Sequence, residues 1–290
     1  MTNAADGGKK ARRDHARELA RQEREAAKRR AKRNRLLIQG GAILTVLAVA
    51  TVVAVVIATS TTTSATNPKN MASDGILFTG DGTTISPVTT KALPAGSDPV
   101  PTDLSEHADT VNIVTYIDYA CPYCNTFETT NAEQIASWVA SGAATLEVHP
   151  ISILDRMSLG TKYATRAANA AACVASNEPD TFLDVTAALF ANQPEEQTSG
   201  LDTAALKKVV ADAGADSDAV ASCIGDKTYE DWVAAATDRV SNGELASTTV
   251  TEFTGTPTVL VDGQQYSGAL DDASAFQAFV SSVAAAGTAG

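Results

Sequence analysis

VNIVTYIDYACPYC, residues 111–124, decides how this chain is read. Val111, Ile113, Thr115 and Ile117 alternate with Asn112, Val114, Tyr116 and Asp118, and both sets are rich in β-branched or aromatic residues. Such a run predicts a strand covered on both faces. It leads directly into Cys121-Pro122-Tyr123-Cys124. Residues 125–141 then have a helical pattern, with Phe127, Ile135, Trp138 and Val139 roughly on one face. Two thiols at i and i+3 on the first turn of a helix can close a small disulfide with little backbone movement. The unpaired N–H groups of that turn and the helix dipole favour the anion of the first sulfur, lowering a cysteine pKa of about 8.5 toward neutrality or below. Cys121 is therefore expected to be the exposed, attacking sulfur and Cys124 the shielded, resolving one. Pro122 suits the first helical position, where its missing N–H costs nothing.

A lone CxxC has two plainer readings, a zinc half-site or an ordinary disulfide. Zinc needs two further ligands. His107, His149, Cys173 and Cys223 are scattered singles with no second close pair. No metal and no cofactor is expected.

Upstream, the charge splits sharply. The formal net charge is −12, but residues 1–35 carry 13 Lys and Arg against 5 Asp and Glu, a net of +8, which leaves −20 for the remainder. Residues 36–58 contain no charge at all. As a helix they would span ~34 Å, against a hydrocarbon core of about 30 Å. The basic flank predicts a cytoplasmic N-terminal segment, 1–35, then a single transmembrane helix, 36–58, with everything after it outside the membrane. A cleaved signal peptide is the rival, but its apolar core would be about 7 to 15 residues and no clear cleavage site follows Ala58. No aromatic residue interleaves the basic run to stack on bases, so nucleic-acid binding is not expected. Residues 59–74 are read as a flexible linker.

Downstream, residues 75–79 predict a first strand, and 80–107, rich in Gly, Pro, Asp and Ser, mostly turn and loop. After the Cys121 helix comes a strand at 144–151, with Leu146 and Val148 on one face and Glu147 and His149 on the other. Helical patterns follow at 161–176, 180–192 and from a cap at Asp202, with shorter ones at 217–224 and 228–242. The chain returns to strand at 257–261, turns at Asp262-Gly263, pairs again at 264–266, and ends in a helix capped by Asp271 or Asp272. The order βαβ, helical insert, ββα is the thioredoxin plan: an α/β, thioredoxin-like domain over 75–285 with a helical insertion at about 158–245.

Two further features bear on chemistry. Thr256-Pro257 opens the third strand of the plan, and X-Pro is the one bond for which cis is cheap. A cis bond would turn Thr256 backbone groups toward the cysteine pair, where an extended client could add strand-like. Cys173 and Cys223 are either buried free thiols or, in an oxidising compartment, a structural disulfide closing the insert.

Asp118-Tyr119-Ala120-Cys121-Pro122-Tyr123-Cys124, the helical insert, and Gly255-Thr256-Pro257-Thr258 before Val-Asp-Gly together resemble the DsbA-like thiol–disulfide oxidoreductases. The anchored form resembles envelope members of that family from actinobacteria. The resemblance implies that Cys121 forms the mixed disulfide and that a cis Thr256-Pro257 loop faces it. It implies donation of disulfides to exported, unfolded or partly folded clients, and reoxidation by a DsbB-like or vitamin K epoxide reductase-like membrane partner. Two positions depart from the pattern. Tyr123 stands where strongly oxidising members have His, which places the couple between about −270 and about −120 mV. Thr115 stands where several members bury a proton-accepting carboxylate; Asp118, three before Cys121, is either its substitute or a polar residue ending the strand. The alternatives are an envelope reductase or isomerase using the same dithiol, or a non-catalytic binding protein or metal chaperone. His149 before Pro150 is read as a strand-end histidine rather than a protease base. Tyr163, Trp232 and Phe253 belong either to the core or to a client groove.

Overall fold

The computed structural model describes residues 66–245 and 252–287. The basic segment, the apolar segment 36–58 and the tether up to 65 lie outside the described residues. Among the described residues no helix is long and apolar enough to cross a membrane.

A six-stranded sheet runs in the order β2-β1-β4-β3-β5-β6. Its strands are β1 (Ile76–Gly80), β2 (Ile85–Pro87), β3 (Val111–Ile117), β4 (Ala144–Pro150), β5 (Thr258–Val261) and β6 (Gln264–Gln265). Parallel β3 and β4 form the middle, in register from Val111↔Ala144 to Ile117↔Pro150. Parallel neighbours need a crossover, and α1 (Pro122–Ala140) supplies it. β1 pairs antiparallel with β4 and β5 antiparallel with β3.

Burial on both faces explains why β3 has no polar side. Ile113 and Ile117 join the main core with Phe127, Ile135 and Val139 of α1, while Val114 and Tyr116 pack with Ile151, Val240 and Leu260 in a second cluster. The last helix, α7 (Ala273–Gly287), lies against α1: the Phe276 ring meets Phe127 edge-on at 5.2 Å. Asp272 caps it, its Oδ1 accepting from the N–H groups of Ser274 and Ala275. The β5–β6 hairpin turns through Asp262 and Gly263 at φ 45° and 77°, the paired positive values of a type I′ turn.

Between β4 and β5 the described residues form five α-helices: α2 (Tyr163–Asn177), α3 (Phe182–Ala191), α4 (Thr203–Asp212), α5 (Asp218–Asp226) and α6 (Glu230–Ser241). α2 is buried nearly all round. Its alanines 164, 167, 168, 170, 171, 172 and 175 are fully covered, so α3, α4, α5 and α6 can pack closely about a narrow rod. A disulfide joins Cys173 of α2 to Cys223 of α5. Asp202 and Ser217 cap α4 and α5, accepting from Ala205 and Val220 N–H.

The linker boundary at residue 74 needs correction, because the domain already includes Asn67 to Asp74. Met71 is buried, and Asn70 Nδ2 donates to Ala175 O while its Oδ1 accepts from Thr90 N–H. Asp74 takes a two-pronged salt bridge from Arg239 at 2.7 and 2.8 Å and the indole N–H of Trp232 at 3.2 Å. These polar residues have no apolar period, yet each is spent on a specific partner. Strand β2 likewise lies inside the stretch read as loop. Gly75 is required by close approach: a Cβ there would stand 2.5 Å from the His149 ring. His149 is buried within β4, stacked on Tyr116 at 4.5 Å, with Nε2 3.2 Å from Glu147 Oε1.

Candidate active site

Strand β3 ends at Ile117, and the next four residues make the turn into α1. Cys121 is the N-cap, extended at φ −87° and ψ 116°, and Pro122 is the first helical residue. The turn closes through Cys121 N–H to Asp118 O at 2.9 Å and Asn125 N–H to Cys121 O at 3.2 Å. No side chain of its own caps the helix. The first-turn N–H groups are therefore left for the sulfur.

Both thiols are free in this structure. Cys121 is only 3% exposed, which corrects the expectation of an open sulfur; Cys124 is 1% exposed. The cover comes from the loop before β5. There the Thr256-Pro257 peptide is cis, and the Cys121 thiol donates to Thr256 O at 3.3 Å. Gly255 leads into this loop at φ 142°, a conformation open to glycine. Tyr123, between the cysteines, is 68% exposed and is the open part of the motif.

The two sulfurs are driven apart in acidity. Cys121 falls from 9.0 to about 6, chiefly because the Cys124 thiol donates to it; burial opposes this, and the Thr256 hydroxyl and the N–H groups of Cys124 and Tyr123 assist. Cys124 is pushed well up by burial and by its role as donor to Cys121. Cys124 Sγ also accepts the Asp118 N–H at 3.5 Å.

Asp118 is wholly buried. Its Oδ1 accepts from Ala120 N–H at 2.8 Å and its Oδ2 from Leu154 N–H at 2.9 Å. Burial first, and then the charges of Cys121 and Asp155, nonetheless raise its carboxyl from 3.8 to about 7. Two groups that titrate near neutrality, a thiol and a carboxyl, thus sit at one turn. This is an arrangement for moving a proton during thiol chemistry.

Cys121, Cys124, Asp118, Thr256 and Pro257 come together at this point of the fold. Cys173 and Cys223 are apart from it, bonded to each other within the insert. Thr115 is buried in β3. His149 pairs with Glu147 rather than with a cysteine. Tyr163 and Trp232 are core residues, and Phe253 packs against the Val114–Tyr116 cluster; Trp232 also borders a cavity with Tyr229 and Arg239, whose lining includes neither Cys121 nor Cys124. Among the described residues no group of three or more His, Cys, Asp or Glu side chains is arranged to hold a metal ion.

Sequence reasoning missed the contribution of the insert. The Gln193 amide, just past α3, donates to Tyr119 O at 2.9 Å and Cys121 O at 3.0 Å. Asn125 donates to Phe190 O and to Gln193 Oε1. The buried Tyr119 hydroxyl meets Thr186 Oγ1 at 3.0 Å. None of these positions has a sequence signal, because amide and hydroxyl contacts across 65 or more residues leave no local pattern.

The family model described as "Thioredoxin" matches residues 105–281, more than half the chain. Among solved structures, the reduced disulfide oxidoreductase DsbG of Mycobacterium tuberculosis is similar over 72% of this chain and 87% of its own, at 26% identity and a TM-score of 0.54. Oxidised DsbA of the same organism is similar over 72% of this chain and 92% of its own, again at 26% identity and a TM-score of 0.54. A curated relative, the serine/threonine-protein kinase PknE of Mycobacterium tuberculosis, is 34% identical over 108 residues, 36% of this chain; the match spans only 19% of the kinase. The chain belongs to this thioredoxin family and is a protein thiol–disulfide oxidoreductase, similar to the DsbA-like proteins of actinobacteria.

Proposed function

We propose that this chain is a membrane-anchored dithiol oxidase that introduces disulfides into exported proteins. Residues 1–35 stay in the cytoplasm, 36–58 span the bilayer, and the domain works outside it. The uncharged 23-residue run with its basic flank supports that topology.

The observation that carries the chemical reading is the split in acidity, with Cys121 at about 6 and Cys124 driven upward by burial. In the oxidised protein a client thiolate attacks Cys121 Sγ. The Cys121–Cys124 bond breaks, a client–Cys121 mixed disulfide forms, and Cys124 leaves, taking a proton from the Asp118 carboxyl. The client's second thiolate then attacks its own sulfur in the mixed disulfide and expels Cys121. A thiol of low pKa is a good leaving group, so the second step is favoured. The client loses two electrons and the protein gains them as a dithiol. A DsbB-like or vitamin K epoxide reductase-like membrane oxidant accepts those electrons and restores the disulfide. Thr256 and Pro257 receive the extended client beside the sulfur, and exposed Tyr123 faces it.

The test is a Cys124→Ala variant. Its lone Cys121 thiolate attacks client disulfides and expels one client thiolate; without Cys124 to displace the bound client sulfur, client–Cys121 mixed disulfides should accumulate, visible as slow-migrating species on non-reducing gels and absent from a Cys121→Ala,Cys124→Ala strain. Their absence from the single variant contradicts the proposal. The likeness to a protein described as DsbG favours a second reading, reduction or isomerisation by the same dithiol. Alkylation trapping in cells separates the two: an oxidase is mainly oxidised at steady state, and a reductase or isomerase mainly reduced.

A further inference from the structure

The N-cap of α1 carries the reactive sulfur but has no cap of its own. What holds it comes from the insert. Gln193 is half-buried, and its two amide hydrogens go to two carbonyls, Tyr119 at 2.9 Å and Cys121 at 3.0 Å. Both acceptors are carbonyl oxygens, so the NH2 end must point at them and the amide orientation is fixed by chemistry. Its Oε1 then accepts from Asn125 Nδ2 at 3.2 Å, one residue past the CxxC. Asn125 Nδ2 also donates to Phe190 O at 3.0 Å, and Gln193 N–H bonds Phe190 O at 3.1 Å. The end of α3 is thus laced to both sides of the Ala120–Cys121 segment.

We infer that Gln193 is a positioning residue for Cys121: its amide clamps the turn so that the first-turn N–H groups of α1 stay aimed at the Cys121 sulfur. The clamp rests on the dithiol reading of the site. Those N–H groups, from Tyr123 and Cys124, stabilise the thiolate only while Cys121 keeps its extended cap conformation. Pinning the carbonyls of residues 119 and 121 removes the freedom of the peptide units between them. Because the clamp belongs to the insert, the insert takes part in setting the acidity of the nucleophile, while the loop before β5 covers it.

The test compares three substitutions in the full-length chain, reduced and in detergent, by following thiolate absorbance with pH. Gln193→Ala removes the amide. Gln193→Met keeps the bulk and chain length but has no donor. Asn125→Ala leaves the amide in place and removes its orienting partner. The clamp predicts that Ala and Met at 193 each raise the Cys121 pKa by about half a unit or more, roughly a threefold loss of thiolate below that pKa. It predicts a smaller rise for Asn125→Ala, with the near-ultraviolet circular dichroism of the fold retained. A rise with Ala alone would mean that Gln193 fills space, and this or any other pattern overturns the inference. If the unaltered chain itself titrated like free cysteine, the dithiol reading would fail instead, so the two failures are separable.

Discussion

At the scale of single residues, the site depends on one carboxyl and one thiol being shifted in opposite directions by their surroundings. Asp118 is an acid held mostly uncharged below neutrality because its burial outweighs two backbone N–H bonds. An acid poised at about 7 lies well below Cys124, so it gives a proton readily to the departing Cys124 thiolate and recovers it only uphill. Asp118→Asn keeps an oxygen for Ala120 N–H but cannot carry a proton. In this variant, the pH step near 7 in the rate of mixed-disulfide resolution should disappear. At pH 7 the rate itself should fall by about tenfold or more, within the usual 10²–10⁴ span of general acid–base effects or just below it. Stopped-flow resolution of a model mixed disulfide between pH 5 and 9 measures it, and an unchanged profile would remove Asp118 from the proton path. The sequence leaves Asp118, three before Cys121, either as a substitute proton acceptor or as a polar residue ending the strand. Its shifted acidity comes from its burial, which no local pattern announces, and Leu154 N–H, 36 residues away, partly offsets it.

At the scale of elements, the legible parts were those with a strong period or a fixed spacing. β3 alternated on two buried faces, Asp262-Gly263 marked its hairpin, and the Ala-rich α2 was evident as a helix. The segment before β1 was misread as tether because Asn70 and Asp74 look solvent-loving until α2 and α6 supply their partners. Strand β2 was missed because three residues ending in Pro87 carry no alternation that a turn-rich stretch would reveal. The exposure of Cys121 was misjudged because the cover comes from Thr256, 135 residues later. The Cys173–Cys223 bridge belongs to this scale. It closes a separation of 50 residues between the buried α2 and the inner face of α5. The chain-entropy model assigns such a loop about 4 kcal/mol. Cys173→Ala,Cys223→Ala should therefore lower the stability of the chain by up to about 4 kcal/mol in denaturant unfolding, while the potential of the Cys121–Cys124 couple stays where it was. A shift in that potential would show that the bridge tunes the site rather than holding the insert.

At the scale of the whole molecule, the low pKa of Cys121 is a statement about which redox state is more stable. An acid whose pKa falls on folding stabilises the folded state above its unfolded pKa and loses that contribution as pH falls through the folded value. For Cys121 the window runs from 9.0 down to about 6. Only the reduced chain has a thiol there to ionise, so the thiolate favours the reduced fold by about 1 kcal/mol at pH 7 and more at higher pH. A protein whose reduced form is the stabilised one is an oxidant. That agrees with the function proposed above, which puts the dithiol in a compartment where disulfides persist. The measurement that bears most directly on the account is the potential of the Cys121–Cys124 couple, equilibrated against glutathione at pH 7. The account predicts a value above about −200 mV, on the oxidising side of glutaredoxin-like couples. A potential at or below about −270 mV, that of thioredoxin, would contradict it.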